Sequence, residues 1–64
     1  MENRIRELRK AAGLRQEDLA RQLSVTRQTI NAIENNKYDP TLSLAFSLAG
    51  ALGTTVDGLF TPPQ

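Results

Sequence analysis

Gln16-Glu17-Asp18-Leu19-Ala20-Arg21-Gln22-Leu23, Ser24-Val25-Thr26 and Arg27-Gln28-Thr29-Ile30-Asn31-Ala32-Ile33 form the stretch from which the rest of the chain is read. Leu19, Ala20 and Leu23 recur at helical spacing, and Glu17 and Asp18 sit in the first turn, where carboxylates complement the helix dipole. Ser24-Val25-Thr26 interrupts the pattern after about two turns, and Thr26 is a good N-cap for a further helix from Arg27 to about Asn35, with Ile30 and Ile33 inward. Two short helices on a three-residue turn, with the small Ala20 at their crossing point, lie close at a steep angle. They bury Leu19, Leu23, Val25, Ile30 and Ile33 between them.

That packing leaves the outer face of the second helix unused. With Ile30 and Ile33 inward and a step of about 100° per residue, Gln28, Asn31, Ala32 and Asn35 point outward, and Arg27 projects from the first turn. Such a row is often only a soluble surface. Here it lies on a short helix held by a tight turn, and its groups suit base edges in a major groove. Arg pairs with guanine, Gln or Asn with adenine, and the Ala methyl meets that of thymine.

Outward from this unit, Ile5, Leu8 and Ala12 predict a first helix from about Glu2 to Ala12, closed by Gly13, with Leu14 turned inward. Asn36 tolerates the left-handed conformation and can end the third helix. Thr41 caps a fourth helix from Leu42 to Leu52, stopped by Gly53. Two apolar stripes run along it, Leu42, Ala45, Ala49 and Leu52 beside Leu44, Leu48 and Ala51, so it is central or lends a face to a partner. Thr55 caps a last turn, Val56 to Phe60, before Pro62-Pro63. No alternating strand pattern occurs. The expected fold is therefore all-α, a compact five-helix bundle in one domain over residues 1–64, with a disordered tail at 61–64.

Composition narrows the function. Sixty-four residues make one small core, which buries about 60% of the unfolded chain's surface. Without Cys or His there is no disulfide framework, no zinc site of the usual kinds and no triad or His-based acid/base chemistry. The acids show no paired-carboxylate spacing and no Gly-rich phosphate loop occurs, so an enzyme, a metal and a cofactor are not expected. The start, Met1-Glu2-Asn3-Arg4, lacks the apolar core of a secretory signal, and Leu42 to Leu52 is too short to span a bilayer. A soluble, cytoplasmic protein with no membrane partner is expected. Residues 1–37 hold all eight bases and five acids, whereas residues 38–64 hold two acids and no base. One half can face a polyanion and the other cannot.

The motifs Leu14-Arg15-Gln16-Glu17-Asp18-Leu19-Ala20, Val25-Thr26-Arg27-Gln28-Thr29-Ile30 and Ile33-Glu34-Asn35-Asn36-Lys37 resemble the helix-turn-helix of the phage-repressor and Cro-type family, the xenobiotic-response-element regulators. The likeness continues in register through Pro40-Thr41-Leu42, Leu48-Ala49, Ala51-Leu52-Gly53 and Val56-Asp57-Gly58-Leu59-Phe60, roughly residues 3 to 60. It implies a lambda-repressor-like domain with the helix-turn-helix at about 16–35, binding palindromic operator DNA as a two-fold dimer. It implies base contacts from Thr26, Arg27, Gln28, Asn31 and Ala32, and phosphate contacts from Gln16, Asn35, Lys37 and Tyr38. It also implies a motif-orienting pair between Arg9 and Glu34. No small-molecule ligand is implied.

Four departures stand out. Arg15 replaces the usual Ser, Thr or Asn cap, so the second helix loses about 1 kcal/mol of capping, and the guanidinium can touch a phosphate instead. Ser24 and Asn36 stand where glycine is usual, and Gly58 where a larger residue is. The second apolar stripe and the apolar end Leu59-Phe60 predict a dimer interface at Leu44, Leu59 and Phe60. The expected function is a sequence-specific transcriptional regulator, a repressor, reading the major groove with the third helix. The alternative is an antitoxin or adaptor that uses the same fold for protein interaction.

Overall fold

A computed structural model describes residues 1–62. Its elements are β1 (Glu2–Asn3), α1 (Ile5–Ala11), α2 (Gln16–Gln22), α3 (Arg27–Glu34), α4 (Leu42–Ala51), α5 (Val56–Leu59) and β2 (Phe60–Thr61). Three of the helices start where a threonine hydroxyl accepts a backbone N–H: Thr26 from Thr29, Thr41 from Leu44 and Thr55 from Gly58. α1 to α4 end in one shared closure. The left-handed residues Gly13, Ser24, Asn36 and Gly53 each donate their N–H to the carbonyl three back. The next residue donates to the carbonyl five back, so the last helical carbonyls are satisfied locally.

The core is built from Ile5, Leu19, Ala20, Ile30, Ile33, Ala45, Leu48, Ala49, Leu59 and Phe60, with Leu8, Leu23, Val25, Leu44, Ala51, Leu52 and Val56 packed around it. Ala20 is buried between α2 and α3, and its carbonyl accepts from Val25 N–H at 3.0 Å, which ties the turn to the first helix of the motif.

Several expectations are corrected. The first helix does not begin at Glu2, because Glu2 and Asn3 pair antiparallel with Thr61 and Phe60, and Arg4 N–H donates to Leu59 carbonyl at 2.9 Å. The tail therefore does not begin at Thr61; residues 63 and 64 lie outside the described residues. Ala12 is exposed in the turn that leaves α1. On α4 the two apolar stripes merge into one broad buried face, and Leu42 turns outward, 71% exposed. Leu59 and Phe60, expected at a dimer interface, are 1% and 5% exposed, and the terminal strand pair holds them in the core of their own chain. Leu44 is half-buried against that core. Gly58 has a local reason: a Cβ there would stand 2.6 Å from Thr54 Oγ1 and 3.2 Å from Thr55 Oγ1, the hydroxyl that caps the helix.

Candidate nucleic-acid interface

α3 is anchored by Ile30 and Ile33 and presents Arg27, Gln28, Asn31 and Asn35 to solvent; Ala32 is half-buried at the edge of that face. Thr26 is exposed at the start of α3. Its hydroxyl already caps Thr29 N–H at 3.2 Å and lies 3.0 Å from Thr29 Oγ1. Lys37 and Tyr38 are exposed just beyond the other end of the helix. Between the starts of α2 and α3 lies an open cleft of about 380 Å³ lined by Arg9, Leu14, Arg15, Gln16, Glu17 and Arg27.

Beneath this face sits a buried ion pair. Arg9 Nε donates to Glu34 Oε2 at 2.7 Å and its Nη2 to Oε1 at 3.2 Å, while Nη1 donates to Leu14 carbonyl at 2.9 Å. Gln16 Nε2 and Arg6 Nε both donate to Glu34 Oε1, at 3.1 and 3.3 Å. Burial alone would raise the Glu34 carboxyl. The hydrogen bonds from Arg9 and Gln16, the Arg9 charge and Arg6 outweigh it and hold the group below the usual carboxylate range. One carboxylate thus joins α1, α2 and α3.

Arg15 is the N-cap of α2 and provides no side-chain cap. Asp18 supplies half of a capping box instead, its Oδ2 accepting Arg15 N–H at 2.9 Å. The Arg15 guanidinium is ion-paired with Glu17 at 2.9 Å and Asp18 at 3.1 Å, and it holds the Asp18 carboxyl below its ordinary value. Its charge is thus compensated locally. Arg27 and Lys37 have no ion-pair partner among the described residues.

Sequence reasoning missed Arg6 and Phe46. Arg6 precedes Arg9 by three positions on α1 and therefore shares its face, a signal that was available. Its Nη2 donates to Asn35 Oδ1 at 2.9 Å, which joins it to the outer face of α3. Phe46 lies on neither apolar stripe of α4, and an apolar residue off both stripes is itself the mark of an exposed one; it is 62% exposed, beside Leu42. The described residues hold no cluster of acids that could bind a metal, and no helix among them is long and apolar enough to cross a membrane.

A helix-turn-helix family model matches residues 5–59, from the first core residue to the last turn of α5. The chain is 48% identical over 60 residues to an uncharacterized HTH-type transcriptional regulator of Methanocaldococcus jannaschii, covering 94% of this chain and 91% of that one. It is 38% identical over 56 residues to the immunity repressor protein of Bacillus phage phi105, of which the match spans 39% and of this chain 88%. Among solved structures, the restriction-modification controller protein C.AhdI from Aeromonas hydrophila superposes with a TM-score of 0.81 at 37% identity, over 89% of this chain and 86% of that one. With α2 and α3 joined by a short turn, the outer face of α3 exposed and a family model matching residues 5–59, the chain belongs to the phage-repressor and Cro-type helix-turn-helix family of transcriptional regulators.

Proposed function

We propose that the protein is a sequence-specific DNA-binding repressor that lays α3 in the major groove and works on cytoplasmic DNA. The observation that carries this reading is the outer face of α3. Guanidinium and amide groups of Arg27, Gln28, Asn31 and Asn35 stand exposed on a helix whose inner face and Glu34 are buried. Such groups serve base edges; a solvated face would have no need of so rigid a mount. Arg27, Gln28 and Asn31 are assigned to bases, with Ala32 and Thr26 at the margin because one is half-buried and the other's hydroxyl is engaged as a cap. Lys37, Tyr38, Asn35 and the start of α2 at Gln16 are assigned to phosphates. Arg15 joins them only by exchanging two carboxylates for a phosphate. No catalytic role is proposed. The repressor reading draws on the phage immunity repressor among the relatives.

The active species on this reading is a two-fold dimer on a palindromic operator. The apolar surface left for a second copy is Leu42 and Phe46, beside an open apolar groove of about 230 Å³ lined by Met1, Pro40, Leu42, Ala45, Val56 and Phe60. That end of the chain carries no base, so joining there leaves both basic halves free for one duplex. Selection from random duplexes defines the operator. Arg27→Ala and Gln28→Ala should then each cost about 1–3 kcal/mol on it and relax one base pair. If both variants bind the selected site as tightly as the parent, the outer face of α3 is not the reader.

A further inference from the structure

The side chains on the exposed edge of α3 close into a ring of hydrogen bonds. Arg6 Nη2 donates to Asn35 Oδ1 at 2.9 Å, and Asn35 Nδ2 donates both to the Asn31 backbone carbonyl at 2.9 Å and to Asn31 Oδ1 at 3.2 Å. Asn31 Nδ2 donates to Gln16 Oε1 at 3.4 Å, and Gln16 Nε2 to Glu34 Oε1 at 3.1 Å. Arg6 Nε completes the circuit to the same Glu34 oxygen at 3.3 Å. An amide is nearly symmetric in shape, and its direction follows only from its partners. Here both ends are chemically fixed, since a guanidinium only donates and a carboxylate only accepts. The three amides between them can satisfy every link in one sense alone.

We propose that Arg6, on α1, is a positioning residue for base readout: through Asn35 it fixes the amide of Asn31, which therefore offers Nδ2 on the α2 side and Oδ1 on the Asn35 side to an adenine. This rests on the assignment of Asn31 to a base in the proposed function. The ring uses one N–H and one lone pair of Asn31 and leaves the second of each for the adenine N7 and N6. Reversing the Asn31 amide would set oxygen against oxygen at Gln16 and NH2 against NH2 at Asn35. The ring therefore disfavours any base that places an acceptor where Oδ1 stands, as guanine does with O6. Arg6 touches no base in this scheme, yet it sets which base Asn31 accepts.

Two readouts on the full chain test this. In the free protein, the side-chain amide NMR signals of Asn31, Asn35 and Gln16 are compared between parent and Arg6→Met. Binding is then competed among four duplexes that differ at the pair relaxed by Asn31→Ala. Arg6→Met should shift all three amide signals and lower the preference for adenine over guanine at that pair by about 5-fold or more, the lower end of what a bidentate contact supplies. Asn35→Ala, which breaks the ring at an exposed position, should shift the two remaining signals, those of Asn31 and Gln16, and lower the same preference. If the amide signals stay in place, or if both variants weaken all four duplexes equally, Arg6 is no more than a phosphate or structural contact and the inference is overturned. If Asn31→Ala itself relaxes no pair, it is the assignment of Asn31 to a base that fails, and the inference falls with it.

Discussion

Glu34 is the residue at which side chains from three helices converge. Its carboxylate is buried and takes hydrogen bonds from Arg9, Arg6 and Gln16, so removing the charge leaves Arg9 buried without an anion. Glu34→Gln should cost about 3–5 kcal/mol at neutral pH, a large share of the stability of so small a domain. Because the folded carboxyl lies below its unfolded value of about 4.3, its contribution is complete above that pH and is lost as the pH falls through the folded value. Urea unfolding of parent and variant should show a gap that is constant from about pH 5 to 8 and narrows below about pH 4; a gap of unchanged size at pH 3 would contradict it. Ser24 offers a second test on a single side chain. Its φ of 58° lies in the left-handed region, at the same closure position as Gly13 and Gly53 in their helices. Ser24→Gly should therefore stabilise the domain by about 1 kcal/mol, read as a rise in melting temperature. Asn36→Gly should gain less, because Asn tolerates that region and Asn36 Oδ1 accepts from Asn3 Nδ2 at 3.3 Å. No gain at Ser24 would mean that the turn is unstrained.

Among the helices and strands, what was legible was local. The caps at Thr26, Thr41 and Thr55 and the left-handed ends at Gly13, Asn36 and Gly53 are read from residues within one turn of each other, and the structure places them as read. The β1–β2 pair was not legible. Two residues are too few to show an alternation, and the strands are joined across nearly the whole chain, Glu2 to Thr61. The same distance hid the fate of Phe60, which looked like a surplus apolar end and is buried by that pairing. On α3 the outward positions followed from two inward isoleucines, whereas the hydrogen bonds that reach Asn31 from Gln16 on α2 and, through Asn35, from Arg6 on α1 depend on how those helices pack. The Arg9–Glu34 pair entered the sequence reading through the family resemblance, since no spacing joins residues on separate helices. The division of labour along α3 is itself testable. Lys37, just past its end and without an ion-pair partner among the described residues, should contact phosphate. Lys37→Ala should weaken binding to the operator and to random DNA alike and lower the salt slope by about 1, a change absent from a base reader. A loss confined to the operator would place Lys37 at a base.

Across the molecule, the two halves of the chain divide by charge and by apolar surface. The bases lie at or before Lys37, while Leu42 and Phe46 leave an apolar patch on α4 in the half without bases. A dimer through that patch would set two α3 helices about 34 Å apart, one turn of DNA. Phe46→Glu alters a side chain that is 62% exposed and so should leave the fold intact. At sub-saturating protein it should convert the parent's sedimentation as two chains per operator duplex to that of one chain per duplex; unchanged sedimentation would put the interface elsewhere. Whether this small domain reads sequence or merely holds polyanions is decided by one titration. The parent protein is bound to the selected operator and to a scrambled duplex of equal length, in parallel, over a range of salt. A reader of sequence binds the operator about 10³-fold or more tightly at physiological salt, with both affinities falling as salt rises, and this is the expected result. Equal affinity for the two duplexes at every salt concentration would leave α3 without a reading role.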